Sequence, residues 1–243
     1  MRIKIDQFEV DLGKKIDLTL PIRRAKNVNA YYLPEPKFQT FEVEGFIGDV
    51  NRGGSCNVEV LNLHPHANGT HTECVGHISK EKVYVSQVLQ DKNFFYAGLY
   101  TLLPENGVIT KKQFLAKFPT WDKKISALII RTLPNDAKKR SRVYSGQNPP
   151  YVAADLMAYF HEMGIVHFLI DLPSVDKEDD PKLLGHHAFF HYPESLSLKK
   201  TITELIYIPE SVKDGRYLLN IQTPQIETNA VPSSITLYEL EGA

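Results

Sequence analysis

The chain has 243 residues, 42% of them hydrophobic and 23% charged, with a formal net charge of -1. That is the composition of an ordinary globular protein, long enough to bury a full core in one large domain. The near-zero charge gives no overall field to draw in nucleic acid or an anionic membrane, and no apolar run is long enough to span a bilayer. Two cysteines are too few for a disulfide framework, and residues 1–18 lack the apolar stretch of a secretory leader. A reducing cytoplasm is therefore the expected compartment.

In chain order, residues 3–5 (IKI) and 16–20 (IDLTL) alternate apolar and polar, predicting two short strands around a turn at Gly13. Residues 21–54 are rich in Pro, Asn and aromatic side chains. Within them 41–46 reads as a strand and the rest as loop, its aromatics expected in the core, with a pocket wall as the functional alternative. Residues 55–63 set Cys56, Val58 and Val60 against Asn57 and Glu59, the period of a half-buried strand. Pro65 breaks that pattern, and Asn68-Gly69 is a pair that readily supplies a turn with positive φ.

Further on, 84–89 predicts a short helix and 94–103 an apolar strand. Thr110 and Gln113 match a capping box ahead of a helix that buries Phe114, Leu115 and Phe118. The run ALIIRT at 127–132 is apolar enough to be covered on both faces. Pro149-Pro150 precede an amphipathic helix over 152–163, Gly164 stops it, and VHFLIDL at 166–172 gives another buried strand. Strand, helix and strand in that order predict a right-handed parallel crossover. Strands are expected again at 201–208, 217–222 and 235–240. With no repeat and no long linker, the expectation is a single α/β domain over 1–243.

The chemistry concentrates in residues 62–77 (NLHPHANGTHTECVGH), which hold His64, His66, His71 and His77, four of the chain's nine histidines, beside Glu73 and Cys74. In an extended segment His71 and Glu73, two apart, leave on one face. His77 returns to that face by further extension or by a first helical turn. Three such groups converging on one point offer a divalent metal its ligands. Imidazole with carboxylate suits zinc, manganese or iron rather than calcium. His186, His187, His191 and Glu204 form a second group; folded onto the first, it would let the chain hold one or two ions.

Other candidates have plainer readings. Cys74 could be a thiolate ligand, or a nucleophile with His71 or His77 as base, but it faces away from Glu73 in a strand and is expected to be a buried structural cysteine. The basic run 138–142 (KKRSR) is expected to be a solvated loop, the alternative being a lid whose Arg140 or Arg142 grips a carboxylate beside Tyr144. The acidic run 177–180 (KEDD) reads as a solvated turn. Asp171 and Asp176, just past a buried strand, either line the site or shape the turn.

Gly69-Thr70-His71, Glu73 and His77 resemble the H-x-G-T-H-x-D-x-x-x-H signature of the cyclase family, which includes bacterial kynurenine formamidases and isatin hydrolases. Ile130-Arg131-Thr132, the segment IDLPSVD at 170–176, the pair His186-His187 and Thr203-Glu204-Leu205 are similar to later segments of that family and come in its order. The resemblance implies an α/β fold with a mixed, partly barrel-like β-sheet core flanked by helices. It also implies metal ligands at His71, Glu73, His186 and Glu204. His77 would be the proton acceptor and donor, with ligation of a second ion as its alternative role. Glu73 stands where the family has Asp. The family's first histidine falls at Ala67, with His66 one residue before it. On a regular strand His66 would face the other side; a bulge or the Asn68-Gly69 turn would reorient it.

The expected function is thus hydrolysis of an amide or a cyclic amide or ester by metal-activated water. Zinc is the expected cofactor, as one or two ions, with manganese as an alternative. The ligands would come from His66, His71, Glu73, His77, His186 and Glu204. A small-molecule substrate and a homodimer or larger homo-oligomer are the expected partners. Two rivals are a non-catalytic binding protein on the same scaffold, suggested by Ala67, and a hydrolase using Cys74 as nucleophile.

Overall fold

The computed structural model describes residues 1–90, 92–120 and 122–242. β1 (Arg2–Ile5) and β2 (Phe8–Asp11) form an antiparallel hairpin ahead of the short β3 (Ile16–Asp17). An arm follows, in which β4 (Lys37–Thr40) pairs with β7 (Glu59–Asn62), and β5 (Glu42–Val43) with β6 (Phe46–Ile47) makes a small hairpin at the tip. Next come α1 (Pro65–Asn68), β8 (His71–Cys74), α2 (Val85–Val88), β9 (Phe94–Leu102), β10 (Val108–Ile109) and α3 (Lys111–Lys117). β11 (Ala127–Thr132), β12 (Tyr151–Val152), α4 (Ala154–Glu162), β13 (His167–Ile170) and α5 (Leu184–Phe190) continue the chain. β14 (Thr201–Glu204), β15 (Gly215–Gln222), β16 (Ala230–Pro232) and β17 (Ser234–Glu239) complete it.

A nine-stranded mixed sheet, ordered β16-β8-β14-β13-β11-β9-β15-β17-β3, dominates the molecule. β9, β11, β13 and β14 run parallel at its centre, and antiparallel strands extend it on both sides. Its curl into a half-barrel brings Thr19, just past edge strand β3, into a bridge with Ile206, just past β14. The expected mixed, partly barrel-like α/β architecture is what the chain adopts.

The central strands are buried from end to end because both faces are covered. Phe168 of β13 stacks on Phe160 of α4 at 5.4 Å between ring centroids and lies 6.1 Å from Phe189 of α5. These rings weld the helices to the sheet, and truncating Phe168 to alanine should cost ~3–5 kcal/mol. β11 and β13 are parallel neighbours with α4 between them in sequence, as the strand-helix-strand pattern predicts. The capping box at Thr110 and Gln113 is present.

The arm departs from expectation. Val60 and Leu61 are consecutive in β7, so their side chains point to opposite faces, yet they are 45% and 57% exposed. The alternation over 55–63 implied one covered face; here neither face of the ribbon has a layer against it. The aromatics of 21–54 are not uniformly core either, for Tyr32 is 78% exposed while Tyr31 walls a pocket. The basic run is only partly solvated. Lys139 is buried, with Nζ 2.8 Å from Asp171 Oδ2 and from the carbonyl and hydroxyl of Thr132.

Candidate metal centre

Pro65 opens α1 at a position where its missing N–H costs nothing, and the single helical turn replaces the strand that parity arguments assume. That turn swings His66 toward β8. Asn68 anchors it, accepting from the His64 amide at 2.7 Å and donating to the Pro34 carbonyl at 3.1 Å. The Asn68-Gly69 pair makes no positive-φ turn, for Gly69 is extended at φ 164. Glycine is needed there because a Cβ would sit 2.9 Å from the Leu20 carbonyl oxygen.

β8 sends His71 and Glu73 to one face and Thr72 and Cys74 to the other. The antiparallel register sets Glu204 of β14 directly opposite His71, with His71 Nε2 3.3 Å from Glu204 Oε2. His77 follows in a 3-10 turn and reaches back to 3.9 Å from Glu73 Oε2. The turn is tight, since a Cβ on Gly76 would lie 2.1 Å from the Val83 carbonyl. His186 arrives on α5. Asp176 accepts from the Gly185 and His186 amides and from His186 Nδ1, the last at 2.5 Å, so one carboxylate both holds the start of the helix and aims the ring.

Three of the four imidazoles have one nitrogen committed. His71 Nδ1 lies 3.1 Å from the Gly69 carbonyl, His66 Nε2 3.1 Å from Asn229 Oδ1, and His186 Nδ1 against Asp176. Those nitrogens must donate, so His71 Nε2, His66 Nδ1 and His186 Nε2 are lone pairs when the rings are neutral. Although burial opposes it, the Glu73 carboxylate raises His66 and His186, so without a metal their second nitrogens hold protons toward Glu73. They converge on a carboxylate. His66 Nδ1 is 3.1 Å from Glu73 Oε2, and His186 Nε2 is 2.7 Å from Glu73 Oε1. Both Glu73 oxygens, His71 Nε2 and His186 Nε2 are buried without a hydrogen-bond partner among the described residues. Lone pairs packed against carboxylate oxygens repel unless a proton or a metal ion lies between them. Two atoms each ~2.1 Å from a tetrahedral ion are about 3.4 Å apart, close to several of these separations. The donors fall into two groups that share Glu73: His66, His71 and Glu73, and Glu73, His77 and His186. The residues fit a metal.

Electrostatics agree. Burial acts to raise the Glu73 carboxyl, but His77 and His186 outweigh it and hold that group well below the usual carboxylate range. Burial and the neighbouring Glu73 charge push Glu204 well above it. Burial brings His71 down to about 4. Glu73 favours the charged ring of His77, yet burial and the adjacent imidazoles of His66 and His186 bring it down to about 4. Without a divalent ion the cluster shares protons; with one, both carboxylates can ionise.

A cavity of about 320 Å3 opens onto this cluster, walled by Tyr31, Leu33, Ser174, Lys177 and Leu183. His66, Glu73, His77, His186 and Glu204 also line it, while His71 is fully buried behind. Tyr31 takes the pocket-wall alternative read for the aromatics of 21–54, whereas Asn229 went unread in the sequence, since its role comes only from long-range folding. His187 and His191 stay outside, His187 Nδ1 lying 2.7 Å from the Tyr192 carbonyl. Cys74 is buried, donates to the Val83 carbonyl at 3.3 Å, and burial pushes its thiol up to about 11. That is the structural cysteine expected, and a poor thiolate nucleophile. Arg140 and Arg142 are not among the residues lining the cavity; they lie over the rings of Tyr207 and Tyr144. Asp171 pairs with Lys139 and shapes the strand end, whereas Asp176 serves the site.

The Cyclase family model matches residues 16–177. The chain belongs to the Cyclase family. Within that matched stretch lie His66, His71, Glu73 and His77, while His186 and Glu204 lie beyond it and join through the fold. Kynurenine formamidase of Bacillus mycoides strain KBAB4 is 29% identical over 174 residues, covering 67% of this cyclase-family chain and 77% of that one. The Bacillus anthracis kynurenine formamidase matches to the same extent. Among solved structures, a potential metal-dependent hydrolase with cyclase activity superposes with a TM-score of 0.68 at 18% identity, covering 93% of this chain and 97% of that one. Isatin hydrolase A from Labrenzia aggregata, bound to benzyl benzoate, gives a TM-score of 0.68 at 11% identity with 94% of each chain covered.

Proposed function

We propose that this cyclase-family protein is a metal-dependent hydrolase that opens an amide or a cyclic amide or ester in a small molecule. The observation that carries the reading is Glu73, a fully buried carboxylate whose two oxygens face His66 Nδ1 at 3.1 Å and His186 Nε2 at 2.7 Å, nitrogens that a divalent ion would take up in place of shared protons. The names of the relatives, kynurenine formamidase and isatin hydrolase, support the reaction class. Imidazole with carboxylate favours zinc, with manganese as the alternative, held as one or two ions by His66, His71, Glu73, His186 and Glu204, with His77 beside the second group. A bound ion would polarise a carbonyl and lower the pKa of water to ~7.

The protein's own groups do the rest. His77 is neutral at working pH and its ring faces the cavity, so it takes a proton from the attacking water and returns it to the leaving nitrogen or oxygen. Asp176 fixes the tautomer and orientation of His186, and Asn229 does so for His66. Tyr31 and Leu33 give an apolar wall suited to a flat ring. The non-catalytic alternative rested on Ala67, and His66 reaching Glu73 removes its motive. Two free cysteines, one buried, suit a reducing cytoplasm, and the uncovered arm suits a homodimer. The test is hydrolysis of N-formyl arylamines and cyclic imides before and after chelation. Activity lost with the chelator and restored by zinc or manganese supports the reading; turnover unaffected by removing the metal overturns it.

A further inference from the structure

A second cleft, of about 400 Å3, lies at the other end of the parallel strands. His167 opens β13 and pairs in register with Thr201, which opens β14, whereas Glu204 closes β14 at the metal centre. Three residues of strand, roughly 10 Å, separate the two ends. Val88, Phe95 and Val166 give the cleft apolar walls, Lys92 and Lys199 stand at it, and His167 is its buried floor at 3% exposure. No carboxylate side chain is among its described lining residues.

The proton on His167 can be placed. Its Nδ1 is 2.8 Å from Thr201 Oγ1, and the Thr201 hydroxyl, fully buried, has no other acceptor among the described residues. The hydroxyl must therefore donate to Nδ1, so the hydrogen of the ring sits on Nε2. That N–H has no partner among the described residues and belongs to a ring lining the cleft. The ring also packs on Phe95 at 3.9 Å between centroids with the planes 50° apart, so the two rings together make an aromatic floor. Burial brings His167 down to about 3, so it donates as a neutral ring and the positive charge comes from the lysines alone.

We propose that this cleft is a second small-molecule site that takes a compact aromatic carboxylate. Its carboxylate would lie between Lys92 and Lys199 within reach of His167 Nε2–H, and its ring against Phe95, Val88 and Val166. Two cations and a neutral donor, with no acid among the described lining residues, select an anion. The apolar walls select a body that free phosphate or sulfate lacks, and the volume suits a single ring. Nothing in the hydrolytic chemistry calls on these residues.

The test is titration of the intact protein with benzoate, followed by residue-resolved NMR and calorimetry, with sulfate as the control anion. Saturable shifts at Phe95, Ser126, Val166, His167 and Lys199, absent with sulfate, are expected. Lys92→Ala with Lys199→Ala changes only exposed side chains and should weaken benzoate by about tenfold or more. His167→Phe keeps an aromatic ring against Phe95, removes the donor and should weaken it several-fold. Shifts confined to Tyr31, His66 and His77 would overturn the proposal, as would an affinity unchanged in both variants or a response equal to that of sulfate.

Discussion

His71 and Glu204 face each other across the β8–β14 ladder, Nε2 to Oε2 at 3.3 Å, although 133 positions separate them in the chain. Strand register, rather than loop geometry, sets this pair. A slip of one residue would turn both side chains to the opposite face, where Thr72 and Thr203 now share a 2.8 Å hydroxyl hydrogen bond. The candidate ligands on strands are therefore fixed by the sheet, and those on turns and helices are brought to them.

Asp176 is the clearest case of the second kind. Asp176→Asn should lower metal affinity by ~10–100-fold, because the carboxylate that orders His186 Nδ1 is gone. Competition with a fluorescent zinc chelator checks this, with circular dichroism showing the fold retained.

His77 should behave differently. Replacing His77 by alanine should reduce kcat by ~10^2–10^4-fold while the His66, His71 and Glu73 group still binds an ion. Metal analysis and steady-state kinetics on the same preparation separate the two effects.

His167 gives a pH signature away from the metal. Its folded pKa, about 3, lies below the unfolded 6.5, so between those values the unfolded state binds more protons. The stability due to the neutral ring is complete above about pH 6.5 and is lost as pH falls toward about 3, on the order of a few kcal/mol in all. His167→Phe should flatten that part of the curve of denaturant midpoint against pH, relative to wild type.

The arm bears on assembly. An isolated two-stranded ribbon is marginal in water, and Val60 and Leu61 leave this one bare on both faces. Val60→Ser with Leu61→Ser should convert a homodimer to monomer in light scattering; a wild-type monomer would remove that reading.

Much of this was legible in sequence because local chemistry dictates it. The capping box at Thr110, the buried run ALIIRT and the crossover from β11 to β13 follow from periodicity and end signals. So does the shared face of His71 and Glu73. What escaped was set by distant parts of the chain. Alternation over 55–63 cannot reveal that no layer covers either face. Nor can spacing show that Pro65 starts a helical turn that carries His66 to Glu73 despite Ala67. Asn229 contacts His66 from 163 positions away, with no signal in its neighbours. Lys139, in a run that reads as solvated, is buried because Asp171 needs a counter-charge.

The central claim is that Glu73 is the carboxylate shared by the whole cluster, and metal content tests it most directly. Protein purified without a metal-affinity tag, wild type and Glu73→Gln, would be incubated with zinc or manganese, desalted and analysed for metal. The account predicts at least one ion per chain in the wild type and almost none in the variant, with both proteins folded. A wild type that retains no metal, or a variant that holds as much as the wild type, would contradict it.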